Sequence, residues 1–222
     1  MKKLVLVLAL MLSLGAMASA QRFAHLNRYA AANAALPKVC CGPRVVLMGD
    51  SITDVWAERR PGFFEENGFI GRGISGEETS QMLLRFRQDV IDVDASVVVI
   101  LAGINDIAYN LGDPYIEDLT YSNIISMVEL SWANGIRPVV CGVLPSYNLR
   151  WRKEVTDVFE KVCSLNARLK AFCTRHGVTY IDYGTVLAGE DGKIKEGLSE
   201  DTVHPTEAGY VLMEKYLLEN LK

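Results

Sequence analysis

Residues 45–53 read Val-Val-Leu-Met-Gly-Asp-Ser-Ile-Thr. An unbroken apolar run of strand length, Val45–Met48, is what a strand covered on both faces looks like, and such strands belong to parallel sheets flanked by helices. Gly49-Asp50-Ser51 stops the run where strand gives way to helix. Ser51 there is a good N-cap, which is the ordinary reading of a serine at a helix start.

The same alternation continues outward. Apolar runs at Gly68–Gly71, Val97–Leu101, Pro138–Val143 and Val178–Ile181 are separated by segments of helical period long enough to cross between parallel strands. The clearest helices are Thr79–Val90, Asp118–Asn134 stopped by Gly135, and Thr156–His176 stopped by Gly177. Thr206–Leu221 closes the chain. No repeat, linker or low-complexity stretch interrupts this order. The expected fold is one α/β domain, a five-stranded parallel sheet between two helical layers. Residues 21–37 are Ala-rich and helical in propensity, and are expected to pack across the outside of the domain ahead of the first strand.

Ahead of that domain, Lys2 and Lys3, the apolar run Leu4–Leu14 and the small residues Ala18-Ser19-Ala20 have the form of a removable export signal. The run is too short and too small at its end for a membrane anchor. The expected division is therefore residues 1–20 as signal peptide and 21–222 as the domain, exported to the periplasm or medium after cleavage near Ala20. The whole chain carries a formal charge of −4, and losing two lysines makes it more acidic. With no Lys/Arg cluster, neither nucleic acid nor an anionic membrane is an expected partner. Half of the residues are hydrophobic, enough for a sizeable core.

The five cysteines, Cys40, Cys41, Cys141, Cys163 and Cys173, are odd in number, so at least one is left out of any internal pairing. Cys163 and Cys173 fall on one helix, about 15 Å apart at 1.5 Å per residue, and cannot bridge each other. Cys141 reads as a buried core thiol. None has metal-ligand spacing with a second Cys or His pair, so zinc is not expected, and no cofactor is called for.

A search for a base is short, because there are three histidines, His25, His176 and His204. His25 lies near the processed end, and His176 suits the end of a helix before Gly177. His204 lies in Asp201-Thr202-Val203-His204-Pro205, where a carboxylate three residues upstream can take the Nδ1 proton and leave Nε2 as a base. Thr206 can also cap the last helix here, and the two roles coexist. Ser51, at a helix N-terminus with its positive potential, is the matching nucleophile.

Two more strand ends offer donors for a developing oxyanion. Gly76, in Gly71-Arg72-Gly73-Ile74-Ser75-Gly76, can bring a bare N–H close to a substrate, and Asn105, in Gly103-Ile104-Asn105-Asp106, has a neutral amide. With sheet order 2-1-3 these two ends flank the end that carries Ser51. Residues 71–76 also spell G-x-G-x-x-G. That dinucleotide fingerprint is meaningful only after a well-formed strand, normally the first of its unit; here the preceding strand is short and second in order, and the reading leaves Ser51, Asn105 and His204 unexplained. Ser75 is not in a G-x-S-x-G elbow, since Glu77 occupies the last position.

Gly49-Asp50-Ser51, Gly73–Gly76, Gly103–Asp106 and Asp201–His204 together, in this order, resemble the four motif blocks of the SGNH (GDSL-type) hydrolases. Ile52 stands where the family name has Leu, and Gly71 where a polar residue often precedes the second block; neither removes a chemical group. The resemblance implies a flavodoxin-like α/β/α sandwich and metal-free catalysis by Ser51, Gly76, Asn105 and His204 with Asp201 as orienter. It implies an ester, lysophospholipid or thioester as substrate.

The loop Leu144–Val155 lies at a strand end, where ligands bind in open α/β sheets. Its Tyr147, Trp151 and Arg152 are candidate substrate contacts, and aromatic faces there suit a sugar bearing a small acyl group, acetyl above all. The alternatives are a lysophospholipase or thioesterase of the same family and, in another class, a non-catalytic carbohydrate-binding module. The last would be expected to have lost Ser51, Asn105 or His204, and all are present.

Overall fold

The computed structural model describes residues 23–37 and 42–221. The expected export signal and the pair Cys40 and Cys41 lie outside the described residues. Five strands, β1 (Val45–Gly49), β2 (Phe69–Gly73), β3 (Val97–Leu101), β4 (Arg137–Cys141) and β5 (Thr179–Ile181), form one sheet of order β2-β1-β3-β4-β5. All pairings are parallel, with Gly49 opposite both Gly73 and Leu101, so three strands end level. This is the expected sandwich, and β1 and β3 are buried along their whole length.

The helices are α1 (Ala30–Ala34), α2 (Ser51–Arg59), α3 (Pro61–Asn67), α4 (Thr79–Phe86), α5 (Ile104–Ile107), α6 (Glu117–Ala133), α7 (Val158–His176), α8 (Gly184–Leu187) and α9 (Glu207–Asn220). Parallel crossovers are right-handed, and the chain reverses direction at β2. Hence α4, α6 and α7 pack in succession on one face, while α2, α3, α8 and α9 cover the other.

Several boundaries differ from expectation for local reasons. β2 covers Phe69–Gly73 rather than Gly68–Gly71, because Gly68 adopts φ 63° and closes α3 in a left-handed cap. β4 stops at Cys141 rather than Val143. The Asn166 amide takes both backbone groups of Val143, at 2.8 Å each, and removes that residue from the ladder. β5 begins at Thr179 because the N–H of Val178 is bonded to the Cys173 carbonyl, closing α7. The helix expected over Thr79–Val90 is α-helical only to Phe86 and continues as a π-helical turn, Arg87–Ile91. The last three long helices shift by one or two residues, with Thr206 capping α9 as expected. Cys141, Cys163 and Cys173 are free thiols, the first and last buried.

Residues 23–37 lie over the β2 edge. The Tyr29 hydroxyl donates to the Gly73 carbonyl, Arg72 Nε donates to Asn33 Oδ1 at 2.8 Å, and Asn33 Nδ2 donates to Asp89 Oδ1 at 2.7 Å. These bonds cover a strand edge that would otherwise offer unpaired backbone to another chain. Gly73 itself has no room for a side chain, since a Cβ would sit 2.1 Å from the Asp54 nitrogen. The close passage of β2 beside α2 needs glycine there.

Candidate active site

At the end of β1 the chain turns sharply, and Asp50 is the N-cap of α2, its Oδ1 accepting from the Ile52 N–H at 2.9 Å. Ser51 was the expected cap and is instead the first helical residue. Because Asp50 satisfies the helix end, the Ser51 hydroxyl is not drawn back to the backbone. It points to His204, with Oγ 2.8 Å from Nε2.

His204 arrives from the other end of the sequence on a tightly bonded loop. Asp201 Oδ2 is 2.8 Å from His204 Nδ1, and Oδ1 accepts the N–H groups of His204 at 2.8 Å and Val203 at 3.0 Å. The His204 carbonyl accepts from Ser199 Oγ at 2.9 Å and from the Glu200 N–H at 3.0 Å. Thr202 takes φ 73°, and its hydroxyl reaches the Asn148 carbonyl at 2.6 Å. Burial alone would raise the Asp201 carboxyl, but the His204 N–H and imidazole and the Val203 N–H together hold it below the ordinary value. An ionised Asp201 only accepts, so Nδ1 carries the proton and Nε2 is free to take one from Ser51.

The loop's position is secured by α9 against α2. Tyr210 donates to the Ile52 carbonyl at 2.8 Å, Trp56 Nε1 donates to Glu214 Oε1 at 3.1 Å, and Arg60 holds Glu214 through two bonds of 2.9 Å. The Trp56 and Tyr210 rings stack at 5.5 Å.

Gly76 lies three residues beyond β2 at φ 85°, with no partner for its N–H among the described residues. Asn105 is buried in α5, four residues beyond β3, and donates one Nδ2 proton to the Glu77 carbonyl at 2.9 Å. The level ends of β2, β1 and β3 thus present Gly76, Ser51 and Asn105 on one edge of the sheet.

Beneath them runs a feature the sequence reading missed. Arg85 on α4 is fully buried and donates to the Gly49 carbonyl at 3.0 Å, the Arg72 carbonyl at 3.0 Å, Glu77 Oε2 at 2.6 Å and Asp89 Oδ2 at 3.0 Å. One guanidinium therefore fastens the ends of β1 and β2 together. Burial pushes the Glu77 carboxyl up to about 7 despite the arginine beside it.

Asp50 also titrates far from its ordinary range. Burial raises it to about 6, against the lowering effect of the Ile52 N–H and the nearby His204. Between the usual 3.8 and about 6, the folded protein holds a proton that the unfolded chain has released. Raising the pH through that window therefore costs stability. Asp50→Asn keeps the capping oxygen and abolishes the titration. The melting temperature of the wild type minus that of the variant is expected to fall from pH 4 to pH 6; parallel curves would refute the assignment.

The three rim candidates separate. Trp151 lies beside His204, the ring centroids 6.1 Å apart, and is 40% exposed, with Nε1 bonded to Asn110 Oδ1 at 3.0 Å. Tyr147 lines a neighbouring cleft of about 310 Å³ with Arg150, Lys195 and Thr202, and Lys193 sits 5.2 Å from its ring. Arg152 braces the protein itself, donating to the Tyr109 carbonyl at 2.9 Å and lying 3.6 Å from Glu154. Asn110 was also missed. Its one sequence signal is its place five residues after Asn105 in the same strand-end segment.

A family model described as the GDSL-like lipase/acylhydrolase family matches residues 47–212. No curated protein matches. Among solved structures, a GDSL-like lipase from Bacteroides thetaiotaomicron is 44% identical, with 89% of this chain and 97% of that one covered at a TM-score of 0.85. A member of the lipolytic G-D-S-L family from Veillonella parvula is 24% identical over 79% of this chain and 96% of its own, at a TM-score of 0.63. A catalytic variant of an acetylxylan esterase from Geobacillus stearothermophilus shares the fold at 18% identity, covering 83% of this chain and 96% of its own, with a TM-score of 0.64. No helix among the described residues is long and apolar enough to cross a membrane.

Proposed function

The chain belongs to the GDSL-like lipase/acylhydrolase family of ester hydrolases, and from that premise we propose that it is an exported serine esterase removing a small acyl group, acetyl above all, from a carbohydrate. The observation that carries the catalytic part is the unbroken relay from Ser51 Oγ to His204 Nε2 and from His204 Nδ1 to Asp201 Oδ2, each link 2.8 Å.

In this reading Ser51 Oγ attacks the ester carbonyl as His204 takes its proton, and Asp201 stabilises the imidazolium without itself becoming protonated. The carbonyl π electrons move onto oxygen, where the N–H groups of Ser51 and Gly76 and the Asn105 amide receive the charge. One such donor is typically worth about 3 kcal/mol of barrier. Collapse expels the sugar alkoxide, which takes the proton from His204 and leaves an acyl-enzyme. Water, deprotonated by the same nitrogen, attacks the acyl carbon, and a second collapse frees the acid and returns the proton to Ser51.

The substrate class rests on Trp151. An exposed indole whose ring lies 6.1 Å from that of the base offers a face on which a pyranose can stack. Acetylxylan esterases built on the same fold make that chemistry compatible with the scaffold. Residues 1–20, read as a signal peptide, would carry the enzyme to the periplasm or medium, where polymeric carbohydrate is met.

One observation favours a second reading, hydrolysis of longer acyl chains. A cleft of about 710 Å³ beside the Asn110 turn has an apolar side, Leu111, Tyr115, Ile116 and Leu119, facing the carboxylates of Glu78 and Asp113. A series of p-nitrophenyl esters separates the two. The expected outcome is a kcat/KM for acetate at least about tenfold above that for octanoate, together with acetate release from acetylated oligosaccharides. A preference for octanoate or longer would replace the first reading by the second.

A further inference from the structure

The Asn110 carboxamide has three polar partners. Trp151 Nε1 is 3.0 Å from its Oδ1, while its Nδ2 is 2.9 Å from Asn105 Oδ1 and 3.2 Å from the Gly76 carbonyl oxygen. The two ends of a carboxamide are alike in shape, so its orientation has to follow from what it faces. Here the partners leave no choice. An indole N–H can only donate, so the Asn110 atom facing it is oxygen. The NH₂ then lies toward the Gly76 carbonyl, which can only accept.

That orientation propagates. Facing the NH₂ of Asn110, Asn105 must present its oxygen, and its own NH₂ falls 2.9 Å from the Glu77 carbonyl, again a pure acceptor. One Nδ2 proton of Asn105 is thereby used, and the other remains for a ligand. The backbone supports the arrangement, with the Asn110 N–H bonded to the Asn105 carbonyl at 3.1 Å.

We propose that Asn110 is a positioning residue, which locks the Asn105 carboxamide with its N–H side toward the oxyanion and ties that orientation to the rim tryptophan. This rests on Asn105 being an oxyanion donor, as in the proposed function. Without Asn110, the Asn105 amide is held at one end only. Rotated by half a turn it would aim its oxygen at the developing negative charge, turning a stabilising dipole into an opposing one. Asn110 acts through Asn105, so its loss should be felt in the transition state and not in ground-state binding of a small ester.

The test is a double-mutant cycle on p-nitrophenyl acetate with Asn110→Ala, Asn105→Ala and the pair. Asn110→Ala is expected to lower kcat at least tenfold with KM changed less than about twofold. Asn105→Ala should lower kcat by about 10² to 10³. In that background, removing Asn110 should cost less than about twofold, because the group it orients is already gone. Asn110→Asp keeps the shape and the acceptor for Trp151 but cannot donate to Asn105. It should therefore fail to restore kcat, while KM stays within about twofold of wild type in both Asn110 variants, which separates orientation from a general loss of the site.

Wild-type kcat in Asn110→Ala, or full additivity with Asn105→Ala, would overturn the positioning role and leave the Asn105 reading standing. Wild-type kcat in Asn105→Ala would overturn both.

Discussion

Ser51→Ala is expected to lower kcat for p-nitrophenyl acetate by roughly 10⁵ to 10⁶, with the melting temperature shifted by no more than about 2 °C. The hydroxyl's one hydrogen bond among the described residues is to His204 Nε2. The end of α2 is capped by Asp50, so alanine leaves the helix as it was. Alanine also keeps the backbone N–H of residue 51, and the other donors remain, so turnover should stay measurably above that in water. A serine-reactive organophosphonate should add one equivalent to the wild type, seen as a mass increase, and none to the variant. Turnover above about one per cent of wild type, or labelling of the variant, would remove Ser51 from the reaction.

Arg85→Met should be the most damaging substitution for stability. Its guanidinium is fully buried against Glu77 and Asp89, and taking away one partner of such a cluster leaves charge without compensation. The expected loss is about 3 to 5 kcal/mol, read as a fall of about 10 °C or more in melting temperature. Two strand-end carbonyls, of Gly49 and Arg72, would lose their donor as well. The triple variant Arg85→Met/Glu77→Gln/Asp89→Asn removes the charges together and should regain part of the stability. A melting temperature within about 2 °C of wild type for Arg85→Met alone would show that the cluster contributes nothing net.

These two residues differ in how visible they are in the sequence. The candidates Ser51, His204 and Asp201 stand out because their chemistry is scarce: three histidines, one of them with a carboxylate three residues away, and a serine ending a strand. The donor candidates Gly76 and Asn105 are suggested by their place at neighbouring strand ends, a consequence of sheet order. Arg85 reads as an ordinary polar position on an amphipathic helix, and Asn110 as a turn residue. What distinguishes them is the direction in which their side chains face neighbours far away in sequence, and no periodicity encodes that. Of the rim residues, Arg152 also braces the Tyr109 carbonyl, a bond that its place in the loop does not announce.

The strands divide along the same line. Val97–Leu101 is bounded identically in sequence and structure, since its run of large apolar residues lies between Ser96 and Ala102-Gly103. Gly68 and Val143 mislead because a helix cap and an asparagine clamp decide where those strands begin and end. Asp50 took the capping place from Ser51 for a related reason. Both are competent caps, and only the tertiary position of His204 decides which one is released.

Ser51 and His204 are 153 positions apart, and their meeting depends on α9 being clasped to α2 through Tyr210, Glu214 and Trp56. Contacts of such long sequence separation carry the largest loop-closure cost and are slow to form in a folding chain. Ser51 is therefore among the earlier parts of the domain to be synthesised and, in the proposed function, among the last to become reactive. A folding intermediate with a finished sheet but an undocked C-terminal helix would hold Ser51 without a base, and would pass through the cell inert toward esters.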